Sequence, residues 1–80
     1  MDEPFELPIT YLGRQLMLKS QLIRSDYVYK FKVGVNGIDI IFEPDEERHY
    51  RAMVDSTIAD KMRQSDIELL KVISEALQSL

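Results

Sequence analysis

The chain contains no cysteine. No disulfide and no thiolate metal site can hold it together, so its stability has to come from a packed core or from a partner chain. It has one histidine, and zinc sites draw three or four ligands chiefly from histidine and cysteine. Its three glycines stand apart, at Gly13, Gly34 and Gly37, so neither a Walker loop nor a G-x-G-x-x-G turn can be built. No apolar run approaches the roughly 18 residues that suggest a membrane span. The start, MDEPFELP, is acidic and lacks the basic and apolar regions of a signal peptide. Together these absences give the expectation of a cytoplasmic protein. Basic residues are not in excess either: 14 acidic against 10 basic side chains leave a net charge of −4, which opposes non-specific binding to nucleic acid.

What is present suits one small globular domain, 1–80. Hydrophobic residues make up 45% and charged residues 30%, too apolar for a disordered chain. A chain of this length buries only roughly 60–65% of the surface its unfolded form exposes.

The firmest local signal is Asn36-Gly37. A two-residue type I′ turn needs positive φ at both positions, and Asn-Gly tolerates this best. A turn there pairs Val35 with Ile38, Val33 with Ile40 and Phe31 with Phe42, all on one face. On the other face Lys30 meets Glu43 and Lys32 meets Ile41. A register that gathers the large apolar pairs on one side and sets opposite charges on the other is self-consistent.

Alternation extends this hairpin in both directions. Phe5, Leu7, Ile9 and Tyr11 share a face, and Leu12-Gly13-Arg14 turns the chain. Pro8 cannot donate to a ladder, which puts this first strand at an edge. Leu16, Leu18, Ser20 and Leu22 alternate with Met17, Lys19 and Ile23, and Arg24-Ser25-Asp26 forms the next turn. Tyr27, Tyr29 and Phe31 continue onto the apolar face. After an acidic loop, Tyr50, Ala52 and Val54 alternate with His49, Arg51 and Met53. The expected strands are about 5–11, 15–24, 27–35, 38–43 and 49–54.

The period then changes to about 3.6. Asp55 or Ser56 can cap a short helical turn, about 57–63, carrying Ile58 and Met62. Ser65-Asp66-Ile67-Glu68 fits an S-x-x-E capping box for a final helix, about 66–79. Leu69, Leu70, Ile73, Leu77 and Leu80 form its apolar stripe, while Glu68, Lys71, Ser74, Glu75 and Gln78 face water. The predicted fold is α+β: an antiparallel β-meander of about five strands with a C-terminal helix packed on one face, because neither apolar surface can be left wet.

The segments L7-P-I-T-Y-L-G13, V35-N-G37, F42-E-P-D-E-E47, Y50-R-A52 and D66-I-E-L-L70 resemble a group of small uncharacterised bacterial proteins of similar length. The resemblance covers most of the chain. It implies a single domain and, since that group has no established activity, carries over no catalytic residue.

Two clusters invite a functional reading. Glu43-Pro44-Asp45-Glu46-Glu47-Arg48-His49 gathers four carboxylates beside the one histidine. A hard cation needs several oxygens converging on one point, and this loop has neither EF-hand spacing nor a glycine. Proline and acidic residues favour turns for local reasons, so a solvated turn is the stronger reading. His49 has no nucleophile context beside it, and no complete set of acid, base and nucleophile can be assembled. No catalytic, cofactor-binding or metal-ligating residue is therefore assigned.

The second cluster is the sheet face opposite the helix. It presents Lys19, Lys30, Lys32 and Arg51 among Met17, Ile23, Val28, Ile41 and Met53. Scattered apolar side chains are normal on a surface, but five on one face suggest an interaction surface. The leading expectation is a small non-enzymatic protein-interaction module that contacts an unknown protein partner or forms a homodimer. It would use Ile23, Val28, Ile41 and Met53, with Lys30, Lys32 and Arg51 setting orientation, or an open sheet edge. The alternative is a nucleic-acid or anionic-ligand binder acting through the local basic residues.

Overall fold

The computed structural model describes residues 3–25 and 28–80. Five strands come in the order β1 (Glu3–Tyr11), β2 (Arg14–Ser25), β3 (Val28–Val35), β4 (Ile38–Pro44) and β5 (Tyr50–Met53), followed by α1 (Ser56–Lys61) and α2 (Gln64–Gln78). The strands form one antiparallel sheet in sequence order, β1-β2-β3-β4-β5, so the fold is the expected α+β meander with a C-terminal helix.

Turn chemistry fixes the register. Asn36 and Gly37 take φ of 50° and 82°, the paired positive values of a type I′ turn. Val35 then faces Ile38, Val33 faces Ile40 and Phe31 faces Phe42. The β1–β2 turn has the same form, with Leu12 at φ 51° and Gly13 at 74°, so Arg14 belongs to β2 and pairs with Tyr11. Between β2 and β3 the expected turn at Arg24-Ser25-Asp26 is displaced. Arg24 and Ser25 remain in the ladder opposite Tyr29 and Val28, while Asp26 and the expected strand start at Tyr27 lie outside the described residues. At β5, His49 and Val54 fall outside the strand.

The core lies between one sheet face and α2. Leu7, Ile9, Phe31, Val33, Val35, Ile40 and Phe42 meet Leu69, Leu70, Ile73 and Leu77, all buried. The helix packs against both edge strands, β5 and β1, so it lies across the sheet from one edge to the other. Phe31 stacks edge-on against Phe5 and Tyr50, with centroids at 5.9 and 5.1 Å. Ser20, set among the leucines on this face of β2, is buried and donates its hydroxyl to the Leu18 carbonyl at 3.1 Å.

Four expectations about this side need correction. Tyr29 keeps the predicted face but is exposed, because α2 crosses the sheet from β5 to β1 and its width, roughly 10 Å, covers only part of the length of strands as long as β2. Arg24 sits over its ring at 5.7 Å and reaches Glu3 at 3.2 Å. Leu80 is also exposed, since α2 ends at Gln78 with Ser79 as its C-cap.

Ser65 does not cap α2. The helix starts at Gln64, and Arg63 is the N-cap. Its backbone N–H donates to the Asp66 carboxylate at 3.0 Å, the N3 half of a capping box. Ser74, expected to face water, is half-buried and donates its hydroxyl to the Tyr50 carbonyl. Of the two candidates for the α1 cap, Asp55 fills the role, accepting from the Ile58 N–H at 2.8 Å.

Candidate functional site

The acidic loop is organised by one of its own carboxylates. Asp45 Oδ1 accepts from the N–H groups of Glu47 and His49, both at 2.9 Å. The backbone closes the turn through Asp45 N–H to the His49 carbonyl (2.8 Å) and Arg48 N–H to the Asp45 carbonyl (3.0 Å). The His49 N–H holds the Asp45 carboxyl below its ordinary value of 3.8, with further help from the Glu47 N–H and from the nearby His49 and Arg51 charges, against a smaller opposing effect of burial. This is an Asx-type turn, which uses an aspartate for a local reason. Glu47 approaches His49 Nδ1 only to 3.6 Å, and both side chains are largely exposed. Among the described residues no group of three or more histidine, cysteine or acidic side chains is placed to hold a metal ion.

The far end of the sheet has a second polar cluster that was not assigned from the sequence. Asn36 donates its side-chain amide to Asp66 Oδ1, and Asp66 is buried. Nearby, the Tyr11 hydroxyl donates to Glu68 at 3.0 Å and weakly to the Ser65 carbonyl at 3.4 Å. Partial burial raises the Tyr11 phenol above its usual 10.0, and the hydrogen bond to Glu68 and the charges of Glu68 and Asp66 add to this. These contacts tie the first turn of α2 to β1 and to the β3–β4 turn. The hydrogen bonds of the cluster all run between parts of the protein, so it reads as a structural clamp.

The sheet face away from α2 is where the candidate residues gather. Successive cross-strand rows can be read across it. One row carries Gln21, Lys32, Ile41 and Met53; the next carries Ile23, Lys30, Glu43 and Arg51. Val28 lies beyond, opposite Ser25, and Met17 lies toward the other end, opposite Pro8. All seven candidate residues, Ile23, Val28, Lys30, Lys32, Ile41, Arg51 and Met53, therefore share this face. Met17, Val28 and Met53 are 53%, 40% and 49% exposed, while Ile23 and Ile41 are half-buried by their neighbours. Among the described residues no helix or loop covers them.

The face is not uniformly basic. Lys30 Nζ meets Glu43 Oε1 at 2.8 Å, as the register anticipated. Arg51 pairs across the ladder with that same Glu43, and Lys19 with Glu6. Asp39 adds another carboxylate across from Gly34. Acids and bases therefore interleave. The sequence reading missed this because it followed the lysines and the apolar residues and left Glu6 and Asp39 out of the same rows.

No helix among the described residues is long and apolar enough to cross a membrane. Searches of protein-family models, curated proteins and solved structures find no match to this chain.

Proposed function

We propose that the chain is a small, non-enzymatic interaction module that associates with a second copy of itself through the sheet face away from α2. The observation that carries this reading is the exposure of Met17, Val28 and Met53 on one uncovered face, around the half-buried pair Ile23 and Ile41. Apolar surface rimmed by charge is the usual signature of an interaction site.

The charges favour a second copy as the occupant. A face carrying both signs in neighbouring rows can pair with itself about a two-fold axis, each lysine meeting a partner's carboxylate. A phosphate backbone would meet Glu6, Asp39 and Glu43 along with the lysines, which weighs against the nucleic-acid alternative.

Both sheet edges are poor substitutes for the face. In β1, Pro4 and Pro8 lack the N–H that an added strand would need, and period two turns both toward the same side. In β5 the Tyr50 carbonyl is already taken by Ser74.

Sedimentation velocity over a range of concentrations tests the proposal. The wild-type chain is expected to dimerise, with a modest weakening by salt that reflects the screened ion pairs. Ile41→Glu sets a carboxylate beside Lys32, its cross-strand partner, and is expected to give a monomer with an unchanged circular dichroism spectrum. A wild-type chain that stays monomeric at millimolar concentration would sink the reading.

A further inference from the structure

Pro4, Glu6, Lys19, Gln21, Lys32 and Asp39 enclose a groove of about 470 Å³ on the same sheet face. That volume lies within the range of small-molecule sites, about 300–1,000 Å³. Gly34 stands between two of its walls, inside β3, where glycine weakens a strand. Its φ lies outside the left-handed region, and a Cβ built there would make only ordinary contacts, 3.5 Å from the Lys19 carbonyl oxygen and 3.8 Å from Asp39 Oδ1. Neither backbone conformation nor crowding demands glycine at this position. The missing side chain instead lets the Asp39 carboxylate stand over β3, on the side of the groove that holds Lys19 and Lys32. Among the described residues none of Glu6, Lys19, Lys32 and Asp39 closes a direct ion pair.

We propose that this groove binds a small zwitterion of the dipeptide class, its carboxylate toward Lys19 and Lys32 and its ammonium toward Asp39. A simple anion would leave the Asp39 carboxylate facing it, and a simple cation would leave two ammonium groups. A ligand carrying both charges satisfies both sets. Spacing sets its length. The flanking strands β2 and β4 stand about 9–10 Å apart, twice the strand separation, and their side chains reach inward from both sides. Two extended residues span about 7 Å. The site is complete in one copy of the chain, and self-association through this face would cover it.

Titration of diglycine into the full chain, at a concentration where sedimentation finds monomer, tests this through amide chemical shifts. Saturable shifts are expected at Lys19, Lys32, Gly34 and Asp39. N-acetyl-diglycine lacks the ammonium and diglycine amide lacks the carboxylate, and each is expected to bind about tenfold more weakly or worse, a loss of one charged contact. Gly34→Val places a branched side chain under the Asp39 carboxylate and pushes it aside, and Asp39→Asn removes its charge. Both are expected to weaken diglycine binding about tenfold while leaving distant amide shifts unchanged. The proposal is overturned by an absence of saturable shifts with diglycine, by an equal response to the blocked peptides or to inorganic phosphate, or by undiminished binding in both variants.

Discussion

Asn36, at the tip of the β3–β4 turn, donates its side-chain amide to the buried carboxylate of Asp66 in the first turn of α2, 30 residues later. One side chain thus serves two levels of structure. Its backbone supplies the positive φ of the turn, and its amide fastens the turn to the helix. Asn36→Gly separates the two roles, because glycine accepts the same φ and lacks the amide. It is expected to cost about 1.5–3 kcal/mol, the usual worth of a hydrogen bond to a charged group. Asp66→Ala removes both that bond and the one from the Arg63 N–H, and is expected to cost about 2–4 kcal/mol. Urea melts of the two variants measure the difference. Equal losses would mean that the cap contributes nothing beyond the clamp, and no loss for Asn36→Gly would mean that the clamp contributes nothing.

Leu12 holds a different kind of strain. It is 77% exposed and sits at φ 51°, a conformation that leucine adopts poorly and asparagine well. Burial does not offset the strain, so Leu12→Asn is expected to stabilise the fold by about 1 kcal/mol. An unchanged or lower denaturation midpoint would show that the leucine side chain makes a contact worth as much as its strain.

Much of this fold was legible in the sequence, because two simple periods carry it. Alternation plus Asn36-Gly37 sets the Phe31–Phe42 register, and every strand was placed within a few residues at each end. Errors arose where local patterns have two solutions. Ser65-x-x-Glu68 fits a capping box from the sequence, whereas the observed N-cap, Arg63, lies two residues earlier and is not a favoured capping residue. The Arg63 start wins because it lets Asp66 reach Asn36, a contact no local pattern contains. The burial of Tyr29 was misjudged because alternation gives its face but not where along the strand the helix crosses. On the outer face the apolar and basic residues were found, whereas the balancing acids Glu6 and Asp39 emerge only when the β1–β2 and β3–β4 registers are laid side by side.

Asp45 links the acidic loop to pH. Its carboxyl is held below 3.8 chiefly by the His49 N–H, so the folded loop favours the ionised form more than the unfolded chain does. That contribution is therefore fully present above the unfolded value, near pH 4, and is lost as pH falls through the lower folded value. Carbon-detected titration of the side chain is expected to place Asp45 below the ordinary value of 3.8. Asp45→Ala is expected to speed amide exchange at Glu47 and His49 at neutral pH, with Phe42 and Val33 unaffected. An ordinary titration for Asp45 would remove its role as the organiser of the turn.

Three consecutive residues of α2 give three different expectations. Ile73 is completely buried in the core, Ser74 is half-buried against the edge of β5, and Glu75 is exposed. Removing the Ile73 side chain leaves a cavity beneath the helix, so Ile73→Ala is expected to cost about 2–5 kcal/mol. A domain of this size has about 5–10 kcal/mol in all, so this one change approaches unfolding. Ser74→Ala loses the hydrogen bond to the Tyr50 carbonyl, which can recover a water only in part, and is expected to cost about 1 kcal/mol. Glu75→Ala is expected to stay within about 0.5 kcal/mol of wild type. Ser65→Ala joins this last group, because the Ser65 side chain is exposed and the N-cap is Arg63. Denaturant melts of the four variants test how α2 is docked. A loss for Glu75→Ala as large as that for Ile73→Ala would mean that the helix meets the sheet by another face. A loss for Ser65→Ala of about 1 kcal/mol or more would return the cap to Ser65 and shift the start of α2 with it.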